Sequence, residues 1–304
     1  MSGRVLILGT GGTIAGVADS SSQSTGYRAA ALSVEQLVAA VPALAEYDLE
    51  TRQVAQVDSK DMSFAIWTEL HREVSAALKD GQLDGVVITH GTDTLEETAY
   101  FLARTLVAAK PVVLTAAMRP ATALSADGPQ NLLDAVQLAC EPAAAGVRVC
   151  MHGEVFAGFA VRKCHPYAVH AFASTRAAGP VMEEGVFAPP ASLPEPLGFN
   201  PAPENWPWVE VLQNHAGQDA RAVRALVGAG VRGLVVAATG NGTLAEGFAE
   251  SLREAAQAGV AVVVVSRCPQ GHVVGQPQHG LWVLPLTAAQ ARVELLLQLR
   301  DRPA

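Results

Sequence analysis

Apolar residues along this chain fall into short unbroken runs, separated by longer stretches in which they recur at helical spacing. The runs lie at 4–8, 53–57, 85–89, 112–116, 147–151, 233–238 and 260–265, and read as strands buried on both faces. Between most of them, 33–40, 66–79, 94–107, 130–139, 219–229 and 244–258 carry the pattern of helices with one apolar face. Such alternation predicts an α/β fold with a largely parallel sheet. The proline-rich stretch 188–207 has almost no apolar periodicity and reads as a stiff, extended linker. It separates a larger N-terminal domain (1–187), with a mostly parallel sheet flanked by helices, from a smaller C-terminal α/β domain (208–304).

Two of the expected strand ends carry polar punctuation. Val86, Val87 and Ile88 run into Thr89-His90-Gly91-Thr92-Asp93, and a helix pattern opens at Leu95, with a capping box expected from Thr94 to Glu97. In open α/β sheets, ligands bind at such carboxyl ends. Gly91 permits a sharp turn, while Thr92 and Asp93 present a hydroxyl and a carboxylate at a helix start. For an isolated Thr-Asp pair, a plain helix cap is the commoner reading by far. The first strand ends in a glycine turn, Gly9 to Gly16, that looks like a nucleotide loop. It fails the dinucleotide fingerprint because Ile14 stands at the third glycine position, and it lacks the Lys-Ser/Thr of a phosphate loop. What remains is one presented hydroxyl, Thr13, followed by a polar segment ending in Tyr27 that can close over a ligand.

Composition narrows the partners. The net charge is −8 and there is no basic run, which argues against nucleic acid or an anionic membrane and for a small solute. The run Val5–Leu8 is too short for a signal peptide, and no stretch has the length of a membrane span. Cys140, Cys150, Cys164 and Cys268 are scattered, without CxxC or zinc spacing. Reduced thiols in a cytoplasmic protein are the expectation. His90, His165 and His170 lack metal-ligand spacing and read as polar or packing residues.

The two turns together change the picture. GTGGTIAG at 9–16, DSKDM at 58–62, ITHGTDTLEETAYFL at 88–102, KPVVLTAAMRPATALSADGPQNL at 110–132 and GNGTL at 240–244 resemble, in order, the bacterial L-asparaginases and glutaminase-asparaginases. The resemblance implies hydrolysis of a side-chain amide to a carboxylate and ammonia, without cofactor or metal, in homotetramers built from intimate dimers. It also implies that the C-terminal domain contributes to the neighbouring subunit's site. Thr13 matches the family's nucleophile and Tyr27 the lid tyrosine that assists it; Thr92, Asp93 and Lys163 match the second catalytic cluster. Ser59 matches the serine that meets the substrate's α-carboxylate, and Asp93 the acid that meets its α-ammonium. Ala117 would wall the pocket near the leaving amide, and Thr243 is the matching polar residue of the GNG motif. The chemistry is coherent without the name, since an amide needs an activated hydroxyl and fixed donors for the developing oxyanion. Whether Tyr27 or the Thr92 cluster deprotonates Thr13 stays open at this level.

The chain departs from the family pattern in two places. Lys60 stands where many members carry Gln or Glu, and no acid occurs between Glu254 and Glu294, where secreted members supply a glutamate. Two cations about 4 Å apart cost roughly 4 kcal/mol at an effective dielectric near 20, so Lys60 should not face a bound ammonium. The favoured expectation is that it turns outward to Asp58 or Asp61; otherwise it sits near the carboxylate or marks a substrate without a free α-ammonium. Asparaginase activity is the leading expectation. Alternatives are a glutaminase-asparaginase of broader specificity and a non-catalytic amino-acid sensor on the same fold.

Overall fold

The computed structural model describes residues 3–22, 25–175, 181–183, 186–188, 195–199, 206–275 and 279–300. The chain divides into two compact units, Met1–Ser174 with Glu195–Pro203, and Thr175–Pro194 with Glu204–Ala304. Of the expected linker 188–207, residues 189–194 and 200–205 lie outside the described residues. Within the first unit the Leu197 amide donates to the Arg104 carbonyl at 2.7 Å, and the Phe199 ring lies 4.5 Å from that of His71.

In the first unit, β1 (Arg4–Gly11), β2 (Asp48–Val57), β3 (Gly85–Thr89), β4 (Pro111–Thr115) and β5 (Gly146–Met151) pair in parallel. β6 (Glu154–Ala157) adds an antiparallel edge, giving the order β2-β1-β3-β4-β5-β6. The helices are α1 (Val34–Ala39), α2 (Phe64–Lys79), α3 (Leu95–Thr105) and α4 (Gly128–Ala139). Alternate residues of each strand face opposite sides. Val5, Ile7, Val87 and Val113 form a buried cluster with Val34 and Leu37 of α1 and Leu132, Val136 and Ala139 of α4. The intervening Leu6, Leu8, Val86, Ile88, Val112 and Leu114 are buried on the other side. Burial on both faces is why these runs are continuously apolar. A separate two-stranded ribbon, β7 (Val161–Lys163) with β8 (Phe172–Ser174), lies against α3.

The second unit holds the hairpin β9 (Val181–Glu183) and β10 (Val186–Ala188), then a parallel sheet of β11 (Val209–Gln213), β12 (Gly233–Ala238), β13 (Ala261–Ser266) and β14 (Trp282–Val283). Its helices are α5 (Arg221–Gly228), α6 (Glu246–Gln257) and α7 (Ala288–Arg300). Val223, Phe248 and Leu252 pack with Leu234, Val236 and Val264 on one face. α7 packs against β11, β12 and β13, and Gly233 leaves room for its Leu295 and Leu299.

The structure corrects several expectations. The Thr94–Glu97 capping box does not form: Thr94 makes no side-chain cap, and its hydroxyl donates instead to the Ser59 carbonyl at 2.8 Å. α7 and the strands β6 to β11 and β14 go beyond the expected elements. α7 has no amphipathic stripe to detect, since Gln290, Ala291, Val293, Glu294, Leu295, Leu296, Leu297 and Leu299 are all buried.

Candidate active site

The sheet order is that of a doubly wound fold, with its topological switch point between β1 and β3. Chain direction across the sheet reverses there, so the loops after these two strands part and leave a crevice at their carboxyl ends. Thr13 follows β1 and Thr92 follows β3. The two turns meet main chain to main chain at two glycines: a Cβ on Gly12 would collide with Gly91, and one on Gly91 with the Ser59 side chain. Gly11 and Gly12 have φ of 103° and 82°, a region that L side chains rarely adopt. Glycine at 12 and 91 is therefore what lets the threonine turns meet.

Thr13 opens a buried 3-10 turn, and its Oγ1 lies 2.6 Å from the Tyr27 hydroxyl. The segment carrying Tyr27 is stapled at its base by an antiparallel bridge between Val17 and Arg28. It is tied to the next loop as well: the Ala18 amide donates to Thr122 Oγ1 at 2.8 Å, and the Leu124 amide to the Ser21 carbonyl at 2.9 Å. Gly16 leaves space for the Tyr27 ring against the backbone. Burial, then the field of Asp58, Asp93 and Asp127, raises the Tyr27 phenol above its ordinary value, opposed by the Thr13 bond.

At the second turn, Lys163 Nζ donates to Thr92 Oγ1 at 2.8 Å and to Asp93 Oδ1 at 2.5 Å. Thr92 is buried, the Lys163 side chain is 16% exposed and that of Asp93 56%. The buried Ser59 hydroxyl accepts the Asp93 amide at 3.2 Å. The backbone amide of Lys163 donates to Glu96 on α3, at 2.7 Å. Under the turn runs a directed chain of hydrogen bonds. Trp67 Nε1 donates to Thr98 Oγ1 at 2.9 Å, Thr98 Oγ1 lies 2.9 Å from His90 Nε2, and His90 Nδ1 lies 2.7 Å from the Gly91 carbonyl. A carbonyl can only accept, so the His90 proton sits on Nδ1 and Nε2 takes the Thr98 hydroxyl proton. Burial lowers the His90 imidazole to about 4, against the Gly91 bond, and keeps it neutral.

Ala117 is fully buried within the first unit's core cluster, beside Ile14 and Ala15. Asp127 occupies the position before α4 but does not cap it with its side chain. Its carboxylate accepts the Met118 and Arg119 amides at 2.9 and 3.0 Å, pinning the loop after β4. Arg119 in turn bonds the Ser125 carbonyl and hydroxyl.

Two family models match in tandem: the N-terminal asparaginase model over residues 4–185 and the C-terminal glutaminase/asparaginase model over 208–301. The chain belongs to the asparaginase family. It is 40% identical to L-asparaginase 2 of Escherichia coli (strain K12) over 278 residues, covering 88% of this chain and 79% of that one. To the glutaminase-asparaginase of Pseudomonas fluorescens biotype A it is 36% identical over 280 residues, covering 89% and 77%. Among solved structures it is similar to one described as a probable cytoplasmic L-asparaginase from Campylobacter jejuni. The TM-score there is 0.85 at 36% identity, with 99% of this chain and 96% of that one covered.

Within this asparaginase-family chain, Lys60 is exposed and paired with its own neighbours, its Nζ 3.0 Å from Asp58 and 2.9 Å from Asp61. Thr243 belongs to the second unit, where it closes a tight turn with Thr239 through a mutual backbone pair and a 2.9 Å hydroxyl contact. His165 Nδ1 accepts the Ala168 amide at 2.9 Å, and His170 stacks edge-on with His152. Among the described residues no cluster could hold a metal ion, and no helix is long and apolar enough to cross a membrane. Sequence reasoning did not single out Glu96, or the chain of Trp67, Thr98 and His90. The acids after Thr94 read as a helix start, and nothing local ties Glu96 to a residue 67 positions on.

Proposed function

We propose that this asparaginase-family chain hydrolyses L-asparagine to L-aspartate and ammonia through an acyl-enzyme on Thr13. The observation that carries this reading is the 2.6 Å pair of Thr13 and Tyr27 hydroxyls, on a turn in backbone contact with the one bearing Thr92 and Asp93. Thr13 Oγ1 attacks the side-chain amide carbon, and ammonia leaves with the proton that the hydroxyl gives up. The raised phenol makes a standing phenolate unavailable near neutral pH, so Tyr27 acts as a relay, taking the Thr13 proton as it releases its own. Water then attacks the ester. Lys163 donates to Thr92 Oγ1, which leaves the Thr92 hydroxyl proton free to orient that water or stabilise the intermediate. Ser59 and Asp93 receive the α-carboxylate and α-ammonium, with Ala117 along the wall; on the family resemblance, Thr243 serves the neighbouring subunit's site. The outward pairing of Lys60 with Asp58 and Asp61 keeps its charge from the ammonium and weakens the case for a sensor.

A broader glutaminase-asparaginase is the second reading, favoured by the Pseudomonas fluorescens relative of that name. The two amides differ by one methylene, worth only about 1–3 kcal/mol in a fitted pocket. A homotetramer of intimate dimers is proposed on the family resemblance. A cytoplasmic location draws on the likeness to the Campylobacter jejuni protein, described as cytoplasmic, while a relative from Haemophilus influenzae is named a probable periplasmic L-asparaginase. The 188–207 linker draws support from the gap between the two family-model matches.

The test is ammonia release from L-asparagine, L-glutamine and D-asparagine, with Thr13→Ala as control and mass spectrometry of the protein during turnover of a slow substrate. The expected result is asparagine turnover that vanishes in the variant, and an acyl adduct on Thr13. Ammonia release at an unchanged rate by Thr13→Ala would sink the reading.

A further inference from the structure

The strand bearing Lys163 is weakly held. β7 has three residues and pairs only with the equally short β8, outside the main sheet, with Lys163 opposite Phe172. The neighbouring Cys164 amide bonds the Ala171 carbonyl at 2.6 Å. In an antiparallel pair, adjacent residues direct their amides to opposite sides, so the Lys163 amide faces the edge that β8 does not cover. Glu96 fills that edge, accepting the amide at 2.7 Å.

The geometry closes a ring. Thr92, Asp93 and Glu96 sit within one short stretch at the start of α3; the first two hold the Nζ end of Lys163, and the third holds its backbone. A lysine stem has four flexible carbons and does not fix its own reach. Binding both ends to one rigid segment does. We propose that Glu96 is a positioning residue, whose carboxylate anchors β7 through the Lys163 amide and so sets the reach of Lys163 to Thr92 and Asp93. This rests on the threonine-based reading above.

A second property follows from where the carboxylate sits. Burial pushes Glu96 up to about 7, opposed by the Lys163 amide and the charges of Arg162 and Lys163 on β7, and reinforced by Glu97 beside it on α3. A carboxylate accepts an N–H more strongly than a carboxylic acid does. The anchor therefore tightens as Glu96 ionises, and the rate should rise with pH through that region.

The experiment compares kcat and KM for L-asparagine from pH 5.5 to 8.5 in the full-length protein and in Glu96→Ala, Glu96→Gln, Lys163→Met and Thr13→Ala, with thermal unfolding of each. Glu96→Ala should lose at least tenfold in kcat with KM within threefold. Glu96→Gln, whose amide oxygen accepts the same N–H, should stay within threefold of the parent in kcat and lose the rate limb near neutral pH. A folded Glu96→Ala within twofold of the parent, or a Glu96→Gln as impaired as Glu96→Ala, would overturn the proposal. Should Glu96→Ala fail to unfold cooperatively, Glu96→Gln decides alone: a missing limb supports the anchor, and an unaltered profile overturns it. Parent-like rates in Lys163→Met or Thr13→Ala would instead remove the underlying threonine reading, whatever Glu96 does.

Discussion

Two hydroxyls 2.6 Å apart, on Thr13 and Tyr27, can pass a proton, and either can be the donor. With the phenol raised, the proposed mechanism makes Tyr27 a conduit and not a standing base. Tyr27→Phe keeps the ring against Gly16 and removes only the hydroxyl. Its kcat for asparagine should fall by about 10²-fold or more, within the range general acid–base groups supply, while KM changes little. Steady-state kinetics checks this, and a kcat within twofold of the parent would transfer the proton's route to the Thr92 and Lys163 pair. At this scale Thr13, Thr92 and Asp93 were legible as candidates because they stand in two long, specific motifs. For Lys60 the sequence favoured an outward turn to Asp58 or Asp61 without excluding two other outcomes, and in the fold it meets both carboxylates.

The elements place those side chains by topology. Adjacent parallel strands β1 and β3 deliver their loops to one crevice, and Gly12 and Gly91 let the loops touch. Gly12→Ala adds a methyl group against the Gly91 backbone at a φ of 82°. It should destabilise the protein by about 1–3 kcal/mol, the usual cost of such strain, and lower kcat at least tenfold by spreading the two threonine turns. Chemical denaturation and kinetics on the same preparation check both parts, and a fully active, equally stable variant would contradict the account. In the main sheet β1, β3, β4 and β5 were legible as doubly buried apolar runs, β2 only in its second half and β6 not at all, and α1 to α6 as one-sided patterns. β7 and β8 were not, because three-residue strands such as Val161–Lys163 leave no periodicity to read. α7 was missed for a different reason: it is buried nearly all round, with Gln290 and Glu294 among its buried residues, so no apolar stripe marks it. The Glu96 anchor was invisible because it joins segments that only the finished fold brings together.

For the whole molecule, two buried groups set opposing responses to pH. The folded chain keeps a proton on Glu96 that the unfolded chain releases between about pH 4.5 and 7, so this group makes stability fall as pH rises. His90 stays neutral in the fold down to about 4 while the unfolded imidazole takes up its proton below 6.5, so this group makes stability rise with pH. The two windows overlap and their slopes oppose. Glu96→Gln removes one side, and its melting temperature should climb more steeply than the parent's between pH 4.5 and 6.5; equal slopes in differential scanning fluorimetry would refute the balance. The contact between Gly12 and Gly91 has a further consequence for anyone reshaping this enzyme by directed evolution. It is made of main chain, so no side-chain library can tune it, and diversity spent at 9–12 or 90–92 yields mostly dead clones. Selection for a new amide has its productive positions in the stapled segment from Val17 to Arg28, Tyr27 excepted, and in the Ala117 to Arg119 wall, where sequence can drift while the chemical apparatus stays inherited intact.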